Sequence, residues 1–455
     1  MTTEILSARS TVVHRPGGAR DVLLLAYPVV LTQLSQTFMF AVDAAMVGRL
    51  GATELGAVGF GGIWIWTTIC FFMGAVSGVQ TFVSQDVGAG RAQQAGRWVW
   101  QALAGVIPLN FAALAVFLWV LPAWLALLGP STALQAHCID YVHGRAFALP
   151  AEVGCLALAA FFRGIGDTKT PLYVTVAANV VNAVLAYGLI FGSFGLPQWG
   201  VFGAGVATSI ADWFYLVALA AVFLRPGLAR RFSTRNVRVD GTTIRRYLRT
   251  SLPIGGQWVL DMSAFALFTT LVARMGDISM AANQALLNLL SFTFMLAYGI
   301  SIACSTLVGR YVGAGDLEAA AASYRTALKL GLGIATIVSM LFITIPDPLF
   351  RIFSHDQGVL ELGDSLLLLA AAFQLIDAVG IVVGGALRGA GDTRWPFLVQ
   401  TSLAWGLRVP LAYLLGVVLA KGVIGAWLAE LVYIWALGAA FVLRFRGGAW
   451  KQMKI

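Results

Sequence analysis

Two stretches of the chain, 98–139 and 170–211, contain no Lys, Arg, Asp or Glu. Each is long enough for two apolar crossings of about 20 residues and a turn. Elsewhere, short clusters of Gly, Pro and charge punctuate apolar runs. Read this way, the pattern predicts about twelve helices: 22–47, 54–84, 97–121, 131–162, 171–192, 200–224, 250–273, 279–309, 325–346, 360–387, 396–419 and 423–444. Composition points the same way. Hydrophobic residues make up 59% of the 455 and charged ones 11%, against roughly 25% charged in a soluble domain. The expected fold class is an all-α integral membrane protein.

The pattern repeats. Arg163-Gly164-Ile165-Gly166-Asp167-Thr168 returns as Arg388-Gly389-Ala390-Gly391-Asp392-Thr393, 225 positions on (388 minus 163). At the same distance Pro28 returns as Pro253, Arg49-Leu50-Gly51 as Arg274-Met275-Gly276, and Gly88-Ala89-Gly90 as Gly313-Ala314-Gly315. The chain therefore reads as a tandem duplication. Six crossings return a repeat to its starting side, so the halves are expected to be parallel copies forming two pseudo-symmetric six-helix bundles. The expected division is a tail at 1–21, an amino-terminal lobe at 22–224, a basic linker at 225–249, a carboxyl-terminal lobe at 250–445 and a tail at 446–455. Duplicated two-lobed membrane proteins of this kind are typically transporters.

Basic residues orient the bundle, because Lys and Arg are retained on the cytoplasmic side. One side collects Arg9, Arg15, Arg91, Arg97, Arg163, Lys169, Arg310, Arg325, Arg388, Arg394 and the eight Arg of 225–249; the other holds only Arg49, Arg274, Arg351 and Lys421. Both termini are therefore expected in the cytoplasm. The net charge of +9 reflects topology and lipid contact, with no nucleic-acid partner implied. The first 20 residues lack the apolar core of a cleavable leader. Cys70, Cys138, Cys155 and Cys304 have no metal-ligand or redox spacing, and read as packing. The glycine-aspartate phrase lacks the strand a dinucleotide loop needs and reads as a tight interhelical turn, with Thr170 or Thr393 near a helix start and Pro171 at the first helical position. The linker reads as a solvated, topology-fixing loop.

Charges inside apolar spans are the informative residues. An Asp near a helix centre costs about 2.5–3.5 kcal/mol on insertion scales, so it is a functional candidate by default. Asp43, Glu152, Asp261 and Asp377 stand out, with Asp212, Arg145, Arg408 and Glu430 behind them. Glu152 and Asp377 are repeat mates, whereas Asp261 matches Gln36 and Asp43 matches Phe268. Such carboxylates can take up a proton, coordinate Na+ (Asp261 and Asp377 as the candidate ligands), or hold a cationic substrate; alternatively they fasten helices by pairing with Arg145 or Arg408, either of which could neutralise Glu152 or Asp377. Gln36, Gln257, Asn182, Asn283, Gln284 and Asn288 could complete a cation site, and Trp64, Phe265 and Phe292 could offer aromatic faces. Pro28 and Pro253 are candidate hinges. No cofactor is expected beyond a coupling Na+ or H+. No His/Asp, Ser/Lys or metal-ligand constellation suggests an enzyme.

The stretch Val42-Asp43-Ala44-Ala45-Met46-Val47-Gly48-Arg49-Leu50-Gly51, the Leu252-Pro253-Ile254-Gly255 opening of the second half and the paired glycine-aspartate phrases resemble the multidrug and toxic compound extrusion (MATE) transporters. The resemblance covers roughly 22–445 and is nearest to the NorM-like branch. It implies two six-helix bundles in the inner membrane, and export of organic cations or other amphipathic compounds against Na+ or H+, with lipid and small molecules as the only partners of a monomer. Asp261, eight residues after Pro253, and Asp377, in Gln374-Leu375-Ile376-Asp377-Ala378, match the acids of that branch. Asp43 matches its first-helix acid, and Asn283-Gln284 stands where it usually has His-Gln. The DinF-like branch pairs a fifth-helix Asn with an Asp four residues on; here Asn182 is followed by Ala186, which leaves an amino-lobe site of that kind incomplete and favours Asp261 with Asp377. The rival reading is a lipid-linked saccharide flippase on a similar two-lobed shell. It would want a basic cleft, whereas the spans hold six candidate acids against two arginines.

Overall fold

The computed structural model describes residues 17–128, 131–235, 237–354 and 356–453; Arg9 and Arg15 lie outside them. The amino-terminal half consists of α1 (Ala19–Gly48), α2 (Ala52–Gly88), α3 (Arg97–Leu128), α4 (Thr132–Ala146), α5 (Leu149–Ile165), α6 (Lys169–Phe191) and α7 (Gly200–Phe223). A short α8 (Pro226–Phe232) leads to the second half: α9 (Gly241–Ala273), α10 (Asp277–Ala314), α11 (Leu317–Thr344), a short α12 (Pro346–Arg351), α13 (Gln357–Ala390), α14 (Arg394–Leu403), α15 (Val409–Tyr413) and α16 (Gly422–Arg446). Among the described residues, eleven spans are long and apolar enough to cross a membrane, or twelve if the bent pair α4 and α5 counts as one.

That pair corrects the single helix expected at 131–162. The chain bends by 47° between Ala146 and Leu149, where Pro150 opens α5; a proline cannot donate to the turn before it. In hydrocarbon the interrupted carbonyls need other donors, and α7 provides them. Ser209 Oγ donates to the Gly144 carbonyl at 2.7 Å, and Trp213 Nε1 to that of Phe147 at 2.9 Å. The repeat mate, α13, has no proline and runs unbroken.

The linker also differs from expectation. Helix α9 begins at Gly241 rather than at 250, capped by Asp240, whose carboxylate accepts from the Thr243 amide at 2.9 Å. The segment before it, largely exposed as expected, is also anchored: the Thr234 hydroxyl donates to the Phe223 carbonyl, Trp100 Nε1 to that of Thr234, and Gln101 Nε2 to that of Arg238. Phe232 is buried in the amino-terminal core.

Each glycine-aspartate phrase forms the turn read from sequence. Its second glycine takes a left-handed backbone, φ 88° at Gly166 and 92° at Gly391, where a Cβ would be strained. Helix α6 starts at Lys169, so Pro171 occupies the third helical position, not the first; the carboxylate of Asp167 accepts from the Thr170 amide at 3.0 Å.

These turns also join the halves. Thr81 on α2 donates its hydroxyl to the Arg388 carbonyl at 3.0 Å, and Thr306 on α10 donates to the Arg163 carbonyl at 3.1 Å. Close approach follows the same two-fold relation. A Cβ on Gly88 would stand 1.8 Å from the Arg310 carbonyl oxygen, and one on Gly313 would stand 2.0 Å from that of Gln85. Only glycine admits such contact between backbones. The outer half of α2 packs into its own lobe, with Gly61 against Cys138 and Tyr141, while α9 turns to the carboxyl-terminal helices, Gln257 bonding Gln400. The lobes are thus sealed on the basic face, and contact between them continues to Thr37 and Met295, whose hydroxyl and sulfur lie 3.8 Å apart.

Candidate functional site: two carboxylate clusters around two arginines

In the amino-terminal lobe the polar groups gather at the α4–α5 break. Arg145, buried on α4, donates to Asp212 of α7 at 2.6 Å and bonds Glu152 across the bend. Asp43 of α1 accepts from Asn182 Nδ2 of α6 at 2.8 Å, and Arg145, Asp212 and the Thr208 hydroxyl lie within its electrostatic reach. Three carboxylates and one guanidinium therefore share this cluster. Glu152 Oε2 and Asn182 Oδ1 have no hydrogen-bond partner among the described residues.

The carboxyl-terminal lobe reaches the same ratio with different residues. Arg408 lies 3.3 Å from Asp261 of α9 and 3.6 Å from Glu430 of α16; its Nη2 also donates to the Asp261 backbone carbonyl at 2.9 Å. Tyr433 donates its hydroxyl to Asp261 Oδ1 at 3.3 Å. Asp377 of α13, half-buried, is in electrostatic reach of both Glu430 and Asp261. Of the pairings left open by the sequence, Arg145 takes Glu152, whereas Arg408 goes to Asp261 and Glu430 and leaves Asp377 without an arginine among the described residues. Arg145 and Arg408 are not repeat mates, for the matching positions hold Ala370 and Ala183. The two clusters arose in different places within one shared frame.

The remaining candidates separate into three groups. Asn182 joins Asp43, and Phe265 lies 6.0 Å from the Arg408 guanidinium. Asn283 is buried and accepts from Trp427 Nε1 at 3.0 Å, Gln257 bonds Gln400, and Trp64 packs edge-on against Trp124. Gln284, Asn288 and Phe292 are exposed on α10, and Gln36 is half-buried on α1. Helices α1 and α9 continue through Pro28 and Pro253. Among the described residues, no group of three His, Cys, Asp or Glu is arranged to hold a metal ion. Tyr433 was not anticipated. Its signal was its place three residues after Glu430, on the same helix face.

A duplicated bundle sealed on one face, with charged clusters inside both lobes, is the architecture of a membrane transporter. The family model MatE matches residues 28–188 and again 253–414, and the chain belongs to that family. It is 31% identical to the probable multidrug resistance protein NorM of Rhodopseudomonas palustris, over 93% of this chain and 91% of that one. To the multidrug resistance protein MdtK of Edwardsiella ictaluri it is 30% identical, over 94% and 95%. Its fold matches that of the Vibrio cholerae MATE transporter VcmN in the bent form with a TM-score of 0.84, at 18% identity over 94% and 96% of the two chains.

Proposed function

We propose that this protein is a secondary active exporter, which moves organic cations or other amphipathic compounds out of the cell against Na+ or H+ by alternating access of its lobes. The observation that carries this reading is the charge balance of the two clusters: each gathers three carboxylates around one arginine, an excess of negative charge inside apolar helices. Buried charge of one sign calls for a mobile partner of the other. Asp261 and Asp377 serve as the coupling pair, with Asp43 as the amino-lobe acid. The relatives' names as multidrug resistance proteins support the substrate class.

Coupling follows if the driving cation and the substrate compete for one set of charges, because a ligand shifts a conformational equilibrium only by its differential affinity for the two states. One net charge crossing 100 mV supplies about 2.3 kcal/mol. The excess of Lys and Arg supports a cytoplasmic side for the sealed face and for both termini in a bacterial inner membrane. An acidic interior disfavours a pyrophosphate-linked saccharide as cargo.

Efflux of a fluorescent cation from vesicles, with Na+ and pH gradients imposed separately, tests the reading. Asp261→Asn and Asp377→Asn should each abolish gradient-driven efflux while the protein still inserts in the membrane. Wild-type coupling in both variants would remove these acids from the mechanism.

A further inference from the structure

The span that carries Arg408 is irregular. Between α14 and α15 the residues Ala404–Arg408 form a π-helical turn, and Leu414–Val418 form another after α15. A π-turn widens the helix and re-aims its side chains, and such turns concentrate at functional sites. The first of them ends on Arg408.

The surroundings of that guanidinium are those of an organic-cation site. Two carboxylates, Asp261 and Glu430, flank it. The ring of Tyr433 lies 4.7 Å away and that of Phe265 6.0 Å away, within the range of cation–π attraction. The site is occupied by the protein's own cation, whose Nη2 donates to the Asp261 backbone carbonyl at 2.9 Å but whose ion pairs with the carboxylates are long. Charge-assisted N–H···O bonds run about 2.7–2.9 Å, whereas Arg408 stands 3.3 and 3.6 Å from its two acids. Arg145 in the other lobe reaches Asp212 at 2.6 Å. Unused bonding capacity remains: Glu430 is 5% exposed, yet neither its Oε2 nor Arg408 Nε has a hydrogen-bond partner among the described residues. Asp377 stands within electrostatic reach of both acids, though not of the guanidinium itself.

We propose that Arg408 is a tethered competitor, a guanidinium that occupies Asp261 while no transported cation is bound and withdraws onto Glu430 when a monovalent organic cation takes Asp261 and Asp377. It rests on the antiport reading above and adds the device by which an empty site is kept neutralised. Arg145, by contrast, is a fixed clip across the α4–α5 bend.

Binding of tetraphenylphosphonium to the full-length protein in detergent, without Na+, tests this. Arg408→Gln should bind about tenfold more tightly, within the range of site–site coupling, and Arg408→Lys, which keeps a tethered charge, should stay near wild type. The double variant Arg408→Gln with Glu430→Gln removes one charge of each sign and should also bind more tightly, because Asp261 and Asp377 are then uncontested. It decides the matter if the single Gln variant fails to fold. Unchanged or weaker binding by the double variant, or no binding by any form, overturns the tether. Vesicle efflux by the wild type in the same preparation keeps the two readings apart: its absence counts against antiport, while its presence beside unaltered binding counts against the tether alone.

Discussion

Thr306 donates its hydroxyl to the carbonyl of Arg163 across the lobe boundary at 3.1 Å, and its repeat mate Thr81 does the same to Arg388 at 3.0 Å. The duplicated phrase thus has a structural use beyond turning the chain. Its Arg carbonyl closes helix α5 or α13 and also receives the opposite lobe.

Loosening this clasp should shift the protein toward the state open to the basic face. Each neutral hydrogen bond contributes about 0.5–1.5 kcal/mol, so Thr81→Val with Thr306→Val should change the closed-to-open ratio by roughly tenfold. Labelling of a cysteine introduced at Ser77, at the floor of the lobe seam, by an impermeant maleimide added on the basic face should accelerate accordingly. An unchanged rate would mean that backbone packing at Gly88 and Gly313 alone holds the face shut.

Arg145 should behave as a clip. Replacing it with Met leaves Glu152 and Asp212 without their partner in the protein interior, and breaking a buried pair from one side costs about 3–5 kcal/mol. A marked drop in melting temperature by intrinsic fluorescence is expected. Neutralising both acids as well, with Glu152→Gln and Asp212→Asn, should recover most of the loss; failure to recover would show that the guanidinium stem, rather than charge balance, supports the bend.

Asn182 should matter through Asp43. A hydrogen bond to a charged group is worth about 1.5–3 kcal/mol, so Asn182→Ala, which removes the 2.8 Å donor, should weaken the apparent affinity for the driving cation roughly ten- to hundredfold. Titration of efflux rate against Na+ or H+ reads this directly. Wild-type titration curves in Asn182→Ala would place the amino-lobe cluster outside the coupling step.

At the start of α9, hydrogen bonds from the hydroxyls of Thr242 and Thr243 and from the Thr243 amide hold the Asp240 carboxyl down from 3.8 to about 2. A depressed folded-state pKa gives stability that is complete above the unfolded value and is lost as pH falls through the folded one. The cap should therefore be intact above about pH 4 and fail toward pH 2. Hydrogen exchange at the Thr243 amide, corrected for intrinsic rate, should show protection falling over that window. Asp240→Asn should flatten the curve.

Much of the architecture was legible because its signal is local. Apolar runs between charged punctuation mark crossings without reference to anything distant, and the predicted helices match those observed except that Pro150 breaks one, Asp240 and Asp316 start two others early, and α3 runs on to Leu128. The candidate acids were legible for the same reason, since a carboxylate in an apolar run stands out by itself. Their partners were not. Glu430 and Asp212 looked secondary, and Tyr433 looked like any aromatic, until packing brought them to an arginine. Nor did any feature of the π-helical turns announce itself, because a widened turn depends on the neighbours that accept its displaced side chains.

The order of residues, taken alone, determined that this is a duplicated membrane bundle with acids in its interior: hydrophobicity and repetition are properties of the chain itself. Only the tertiary structure decided which acid meets which arginine. Arg408 binds the backbone of a residue 147 positions away, and two long side chains choose each other by the geometry of helix packing, which no local pattern encodes.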